Sequence, residues 1–179
     1  MAIATLSTIK TAIGLGARPN LFRIYFDTGS MGTDGGKDKS ISLLCKAGSL
    51  PGSTLGVIEV PMGGGRRYKL AGDRTYAEWT VTVMNDATGN VRKAFEDYQK
   101  KFVATDFDVA VANFANRATT RATVTVEQLT EDASTIGRKY ELVNCFPTDI
   151  SAMDLSYDTT DTLQEFTVTW VYDYFKATS

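Results

Sequence analysis

Two cysteines, Cys45 and Cys145, stand one hundred residues apart, and the 179-residue chain has no histidine. Without histidine, the Ser-His-Asp and Cys-His nucleophile arrangements are excluded, and so is the commonest metal-ligating side chain. No Cys-x-x-Cys pair offers a structural zinc or iron–sulfur site. Both cysteines sit among apolar residues (Leu44-Cys45 and Cys145-Phe146), the setting of buried free thiols. Gly36-Lys37 and Gly63-Gly64-Gly65-Arg66-Arg67 offer glycine beside cations, the raw material of a phosphate loop. Asp38 follows Lys37, and Met31 stands where a Walker pattern needs its first glycine. Asp34 and Asp38 lack the spacing of a calcium loop. Asp154, Asp158 and Asp161 read as a solvated hairpin turn over Tyr157–Asp161. No catalytic residue, metal site or cofactor is expected.

One further element invites chemistry. Ile24-Tyr25-Phe26-Asp27-Thr28-Gly29-Ser30 resembles the active-site elbow of aspartic proteases, and Thr135-Ile136-Gly137-Arg138 mimics their hydrophobic-glycine element. That reaction needs two carboxylates sharing one proton. A single Asp27 per chain would require a homodimer. Glycine, lysine and aspartate follow Ser30, where those enzymes continue with apolar chain, and Asp-Thr-Gly-Ser is also ordinary turn chemistry.

These residues must be positioned by a chain of one-domain size, with 43% apolar residues and a net charge of −2. No basic field calls for nucleic acid. Charge is uneven. Residues 1–140 carry a net +4 and residues 141–179 a net −6, a polarity suited to head-to-tail association of copies. No stretch reaches the length of a membrane span, and no leader is evident, so a soluble product of the cytoplasm is expected.

Threonine is abundant, at 24 residues, and alternates with apolar residues in three segments. In 77–84 the apolar face is Trp79, Val81 and Val83. In 121–127 it is Ala122, Val124 and Val126. In 165–172 it is Phe166, Val168, Trp170 and Tyr172. Period two predicts strands with one packed and one wet face. Further strands are predicted near 21–26, 40–47, 66–70, 139–146 and 150–157. Val91, Phe95, Tyr98 and Phe102 recur at helical spacing and predict one amphipathic helix over 88–103, capped by Asp86 or Thr88. The stripe, with Phe95 and Tyr98 at its centre, is read as core. Residues 29–39 read as a loop, 104–120 as a connection and 1–17 as an N-terminal extension. Residues 48–65, with six glycines and two prolines around a short apolar strand, read as a protruding arm. The fold class predicted is mainly β: an antiparallel sandwich or barrel with one packed helix in a single domain, 1–179.

Several runs then resemble one family. They are Ala17-Arg18-Pro19-Asn20-Leu21-Phe22, Cys45-Lys46-Ala47 with Leu50-Pro51, and Ala71-Gly72-Asp73-Arg74-Thr75-Tyr76 leading into Glu78-Trp79-Thr80-Val81-Thr82-Val83-Met84-Asn85-Asp86. Phe146-Pro147-Thr148-Asp149 and Gln164-Glu165-Phe166-Thr167-Val168 through Asp173-Tyr174 complete the set. In this order they resemble the tail tube proteins of contractile-tailed bacteriophages, over nearly the whole chain. Residues 29–39 and 104–120 match least.

The resemblance implies two packed antiparallel sheets and hexameric rings stacked into the inner tube of a contractile sheath, with strands of neighbouring subunits joined in one barrel. It implies contacts with sheath, a baseplate tube initiator, a tail terminator and a tape-measure protein. Genomic DNA would be a transient cargo, and no membrane is involved. The protein would reside in the virion tail tube, assembled in the host cytoplasm, and would not be an enzyme. It also implies that Leu50, Pro51, Gly52, Leu55, Val57 and Ile58 meet the neighbouring ring. The wet faces Glu78-Thr80-Thr82, Thr123-Thr125-Glu127 and Glu165-Thr167-Thr169 share one chemistry and are expected to line the lumen, where hydroxyls and sparse carboxylates would not retain DNA. The same tube in a headless injection system or bacteriocin is the alternative. A homodimeric aspartic protease using Asp27 and a generic β-sandwich binding module are more distant ones.

Overall fold

The computed structural model describes residues 16–27, 39–102, 121–131, 135–158 and 160–178, with Thr11 and Gly14. Residues 1–10, the glycine-rich stretch 29–38 and the connection 104–120 lie outside the described residues.

Where apolar and polar residues alternate, strands form with the apolar set inward. In β5 (Trp79–Met84), Trp79, Val81 and Val83 are buried and Thr80 is exposed. In β8 (Glu165–Val171), Phe166, Val168 and Trp170 are buried. In β6 (Ala122–Leu129), Ala122, Val124 and Val126 are buried. The remaining strands are β1 (Phe22–Asp27), β2 (Cys45–Gly48), β3 (Ser53–Pro61), β4 (Arg67–Tyr76), β7 (Ile136–Ile150) and β9 (Tyr174–Thr178). Seven strands form one antiparallel sheet in the order β1-β6-β7-β8-β5-β2, with β9 added to β7. Strands β3 and β4 form a separate hairpin.

Strand β7 belongs to two layers. Its first half pairs with β6 and β9, its second half with β8. The changeover falls at Asn144, which adopts a left-handed φ of 60°. Its side-chain amide donates to Asp173 at 2.7 Å, and Arg121 reaches the same carboxylate at 3.1 Å. The bend folds the sheet onto itself. Phe26 of β1 stacks on Trp170 of β8 (centroids 5.4 Å apart), although their strands are not neighbours. The helix α2 (Asn90–Lys100) closes one side. Its Phe95 meets Phe26, Phe166 and Trp170 edge-on, and Val91, Phe95 and Tyr98 are buried. Each such aromatic pair contributes about 0.5–1.5 kcal/mol beyond its burial.

Four expectations are corrected. Residues 40–47, read as one strand, form a six-residue helix, α1 (Lys39–Leu44), followed by β2. Residues 150–157, also read as a strand, leave β7 after Ile150 and run without regular structure. The 66–70 segment extends to Tyr76 as β4. At the start of α2 the cap position is Gly89, with φ 71° and no side-chain cap. Asp86 works from outside it, accepting the Val91 N–H at 3.2 Å and the Thr88 hydroxyl. Those bonds hold the Asp86 carboxyl below the usual carboxylate range.

Candidate assembly surfaces

The arm is the β3–β4 hairpin. Every residue of β3 is exposed, and the hairpin has no core of its own. Cross-strand pairs put Ile58 beside Leu70 and Val60 beside Tyr68 on one face. The other face carries Glu59, whose carboxylate takes Arg67 at 2.6 Å and Lys69 at 3.7 Å. Leu55, Val57, Ile58, Val60, Met62, Tyr68 and Leu70 are all exposed. A lone two-stranded hairpin is at best marginal in water. The seven side chains are 41–62% exposed, so burying what remains would contribute only part of the about 1.5–3 kcal/mol that full burial of such a side chain is worth. The root of the arm is anchored. The Trp79 indole donates to the Ser49 carbonyl at 2.6 Å, the Tyr172 hydroxyl to the Gly52 carbonyl at 3.5 Å, and Tyr76 packs on Tyr172 and Phe175. Of the six predicted contact residues, Leu55, Val57 and Ile58 lie on β3, while Leu50, Pro51 and Gly52 form the approach to it. The β4 side of the same apolar face, Tyr68 and Leu70, was not among the residues predicted.

The nine residues expected on one wall divide into two groups. Thr80 stands opposite Thr169 and Thr82 opposite Thr167, with Glu165 opposite Met84 and Glu78 just before the strand. These six lie on one outer face, where Lys46 pairs with Glu165 at 2.5 Å. Thr123, Thr125 and Glu127 lie on β6, in the layer that faces β5 and β8 across the core. Their wet sides therefore point the opposite way, and all nine cannot line one wall. Glu127 is not wet at all. It is 8% exposed and stands in register between Arg23 and Lys139. Alternation along a strand says that a side chain faces water, not which side of the molecule that water is on.

A second apolar surface follows β7. Met153, Leu155, Tyr157 and Leu163 border an open groove of about 490 Å³ with Asp154, Gln164 and Glu165. Leu155 and Leu163 are 82% and 74% exposed, and Tyr157 is fully exposed.

The other sequence candidates come to less. Asp27 is an exposed residue at the end of β1, in register with Thr123. The rest of its Asp-Thr-Gly-Ser element lies outside the described residues. Cys45 is half-buried and Cys145 buried. Both are free thiols, and burial pushes each up to about 12. Among the described residues no cluster of side chains suits a metal ion, and no helix is long and apolar enough to cross a membrane.

The model of the phage tail tube protein family matches residues 17–178. The chain belongs to that family. The tail tube protein gp19 of Enterobacteria phage T4 is 32% identical over 162 residues, covering 89% of this chain and 91% of the relative, and that of phage T6 matches equally. The fold is also that of a chain in the sheath–tube complex of an extracellular contractile injection system (TM-score 0.65, 12% identity, 98% and 99% coverage). A chain of the tube-terminating cap of the anti-feeding prophage matches at TM-score 0.64 with 13% identity over 91% of both. A tail tube family is structural, and its chemistry lies in surfaces rather than in a catalytic centre. In this chain the candidate surfaces are the arm, the threonine face and the groove after β7.

Proposed function

We propose that this chain is the subunit of the inner tail tube of a contractile phage, forming hexameric rings that stack into the conduit for DNA ejection. The observation that carries the reading is the β3–β4 hairpin. Nine successive exposed strand residues and an apolar face with no partner among the described residues are the signature of a surface made for another copy. Among the described residues, strands β1, β2 and β9 each have a strand on one side only, which leaves edges for joining neighbours within a ring. The lumen wall is the β5–β8 face. Glu78, Thr80, Thr82, Glu165, Thr167 and Thr169 give a short, hydroxyl-rich and weakly acidic surface that does not hold phosphate. The subunit contributes no catalysis and acts as a passive wall.

The tube would meet a sheath outside it, a baseplate initiator at one end, a terminator at the other and a tape-measure protein within. The named assemblies of the structural relatives (sheath–tube, baseplate and cap) support the first three. The finished protein would reside in the virion after assembly in the host cytoplasm. The 32% identity to tube proteins of two phages favours a DNA-carrying tail over a headless particle.

Negative-stain electron microscopy of the purified protein, alone and with sonicated tube fragments as seeds, tests the reading. Rings or hollow tubes of uniform width are expected. Monomers that neither assemble alone nor add to seeds would overturn it.

A further inference from the structure

Arm and groove leave opposite ends of the same strand pair. Strand β5 begins at Trp79, next to the arm's root, and ends at Met84. Strand β8 begins at Glu165, next to the groove, and ends beside Tyr172, which touches the arm's root. The ladder Trp79↔Trp170 to Met84↔Glu165 spans six paired positions, about 17 Å. The two exposed apolar surfaces are therefore rooted at opposite ends of this ladder.

Their charges are opposite. The arm carries Arg66 at its tip, Arg67 and Lys69 on the face of Glu59, and Arg74 opposite Leu55. Arg66 and Arg74 have no ion-pair partner among the described residues. The groove segment 151–164 carries Asp154, Asp158 and Asp161 and no basic residue, and none of the three has a cation partner among the described residues. Their apolar content also matches: Ile58, Val60, Tyr68 and Leu70 on the arm, Leu155, Tyr157 and Leu163 at the groove.

We infer that the β3–β4 arm of one copy docks into the 151–164 groove of a second copy, its arginines on that copy's aspartates. This deepens the tube reading and rests on it. A contact between different patches at opposite ends is heterologous and does not close on itself, so repetition adds subunits along an axis. Burying the apolar faces supplies adhesion, and the charges set register and exclude the wrong pairing of arm on arm.

Charge exchange tests the pairing. One variant carries Arg66→Glu and Arg74→Glu, the other Asp154→Lys and Asp158→Lys. Both should keep the native circular dichroism spectrum. Each alone should raise the concentration needed for sedimentable tubes by about tenfold or more. An equimolar mixture of the two, or all four substitutions in one chain, should restore assembly. If both variants fold and the fourfold chain stays as defective as either parent, the pairing is wrong while the tube reading stands. In parallel, Tyr68→Cys protein mixed with Leu155→Cys protein should form an intermolecular disulfide dimer under mild oxidant. Wild type that makes tubes without this cross-link overturns the pairing alone. Wild type that makes no tubes while the cross-link forms overturns the tube reading alone, and absence of both overturns both.

Discussion

A Cβ placed on Gly72 would lie 3.1 Å from the carbonyl carbon of Gly56, and one on Gly56 would lie 3.2 Å from the Asp73 carbonyl oxygen. The arm's strands thus meet backbone to backbone where β3 carries its irregularity between Leu55 and Val57. That is tighter than nine in ten real Cβ contacts, and the facing atoms are backbone, so Gly72→Ala must push the strands apart by a few tenths of an ångström. The arm is exposed and adds no core, so Tm should move by no more than about 2 °C. Tube formation, measured by sedimentation, should fall sharply. A folded Gly72→Ala protein that assembles normally would remove the arm from the interface.

The core gives a second prediction. Trp170 is fully buried among Phe26, Phe95 and Tyr98, and its indole N–H has no hydrogen-bond partner among the described residues. Trp170→Ala should cost about 3–5 kcal/mol in urea unfolding. Trp170→Phe should cost much less, because it keeps the stacking and gives up no hydrogen bond.

The division of the polar faces makes the lumen assignment separable. Thr80→Lys and Thr167→Lys place cations on the β5–β8 face. Thr125→Lys places one on the opposite layer, between Tyr25 and Glu141. Each lysine–phosphate contact adds affinity that falls with salt at a log–log slope of about −0.9. Particles with the first two substitutions should eject DNA more slowly, and most so at low salt, while Thr125→Lys particles eject normally. Slowing by Thr125→Lys alone would put the other layer on the bore.

Burial of the thiols predicts an alkaline limit. Cys45 and Cys145 are raised from 9.0 to about 12 in the folded chain by loss of hydration, and burial also raises Tyr98. Above pH 9 the unfolded chain releases thiol protons that the folded chain keeps. Stability is therefore full below pH 9 and declines as pH rises towards 12. Iodoacetamide at pH 8 should label Cys45 slowly, Cys145 more slowly still, and both quickly in denaturant. Rapid native labelling of Cys145 would contradict the burial argument.

Strands β5, β6 and β8 and helix α2 were legible because their apolar residues repeat at period two or at helical spacing over six or more positions. Eight residues read as core, Trp79, Val81, Val83, Phe95, Tyr98, Phe166, Val168 and Trp170, are all buried. Helix α1 was not legible. Ile41, Leu43 and Leu44 alternate as readily as a strand, and six residues are too few to display 3.6 per turn. The 150–157 stretch failed for the opposite reason. Its Leu155 and Tyr157 alternate as a strand would, yet face water in the single chain. The continuation of β4 beyond 70 was hidden by Gly72, Asp73 and Arg74, which offer no apolar face to report. The threonine faces were recognised as wet, but their opposite directions depend on strand order, which only the bend at Asn144 sets.

That bend has a mechanical meaning. A 15-residue strand that pairs with β6 and β9 and then with β8 ties both layers to one continuous backbone. If one layer is pushed along the axis relative to the other, the covalent chain through Val143, Asn144 and Cys145 carries the shear before any side-chain contact can slip. A subunit built this way transmits a thrust as a strut does, and its two layers cannot slide apart under load without first breaking the hydrogen bonds along β7.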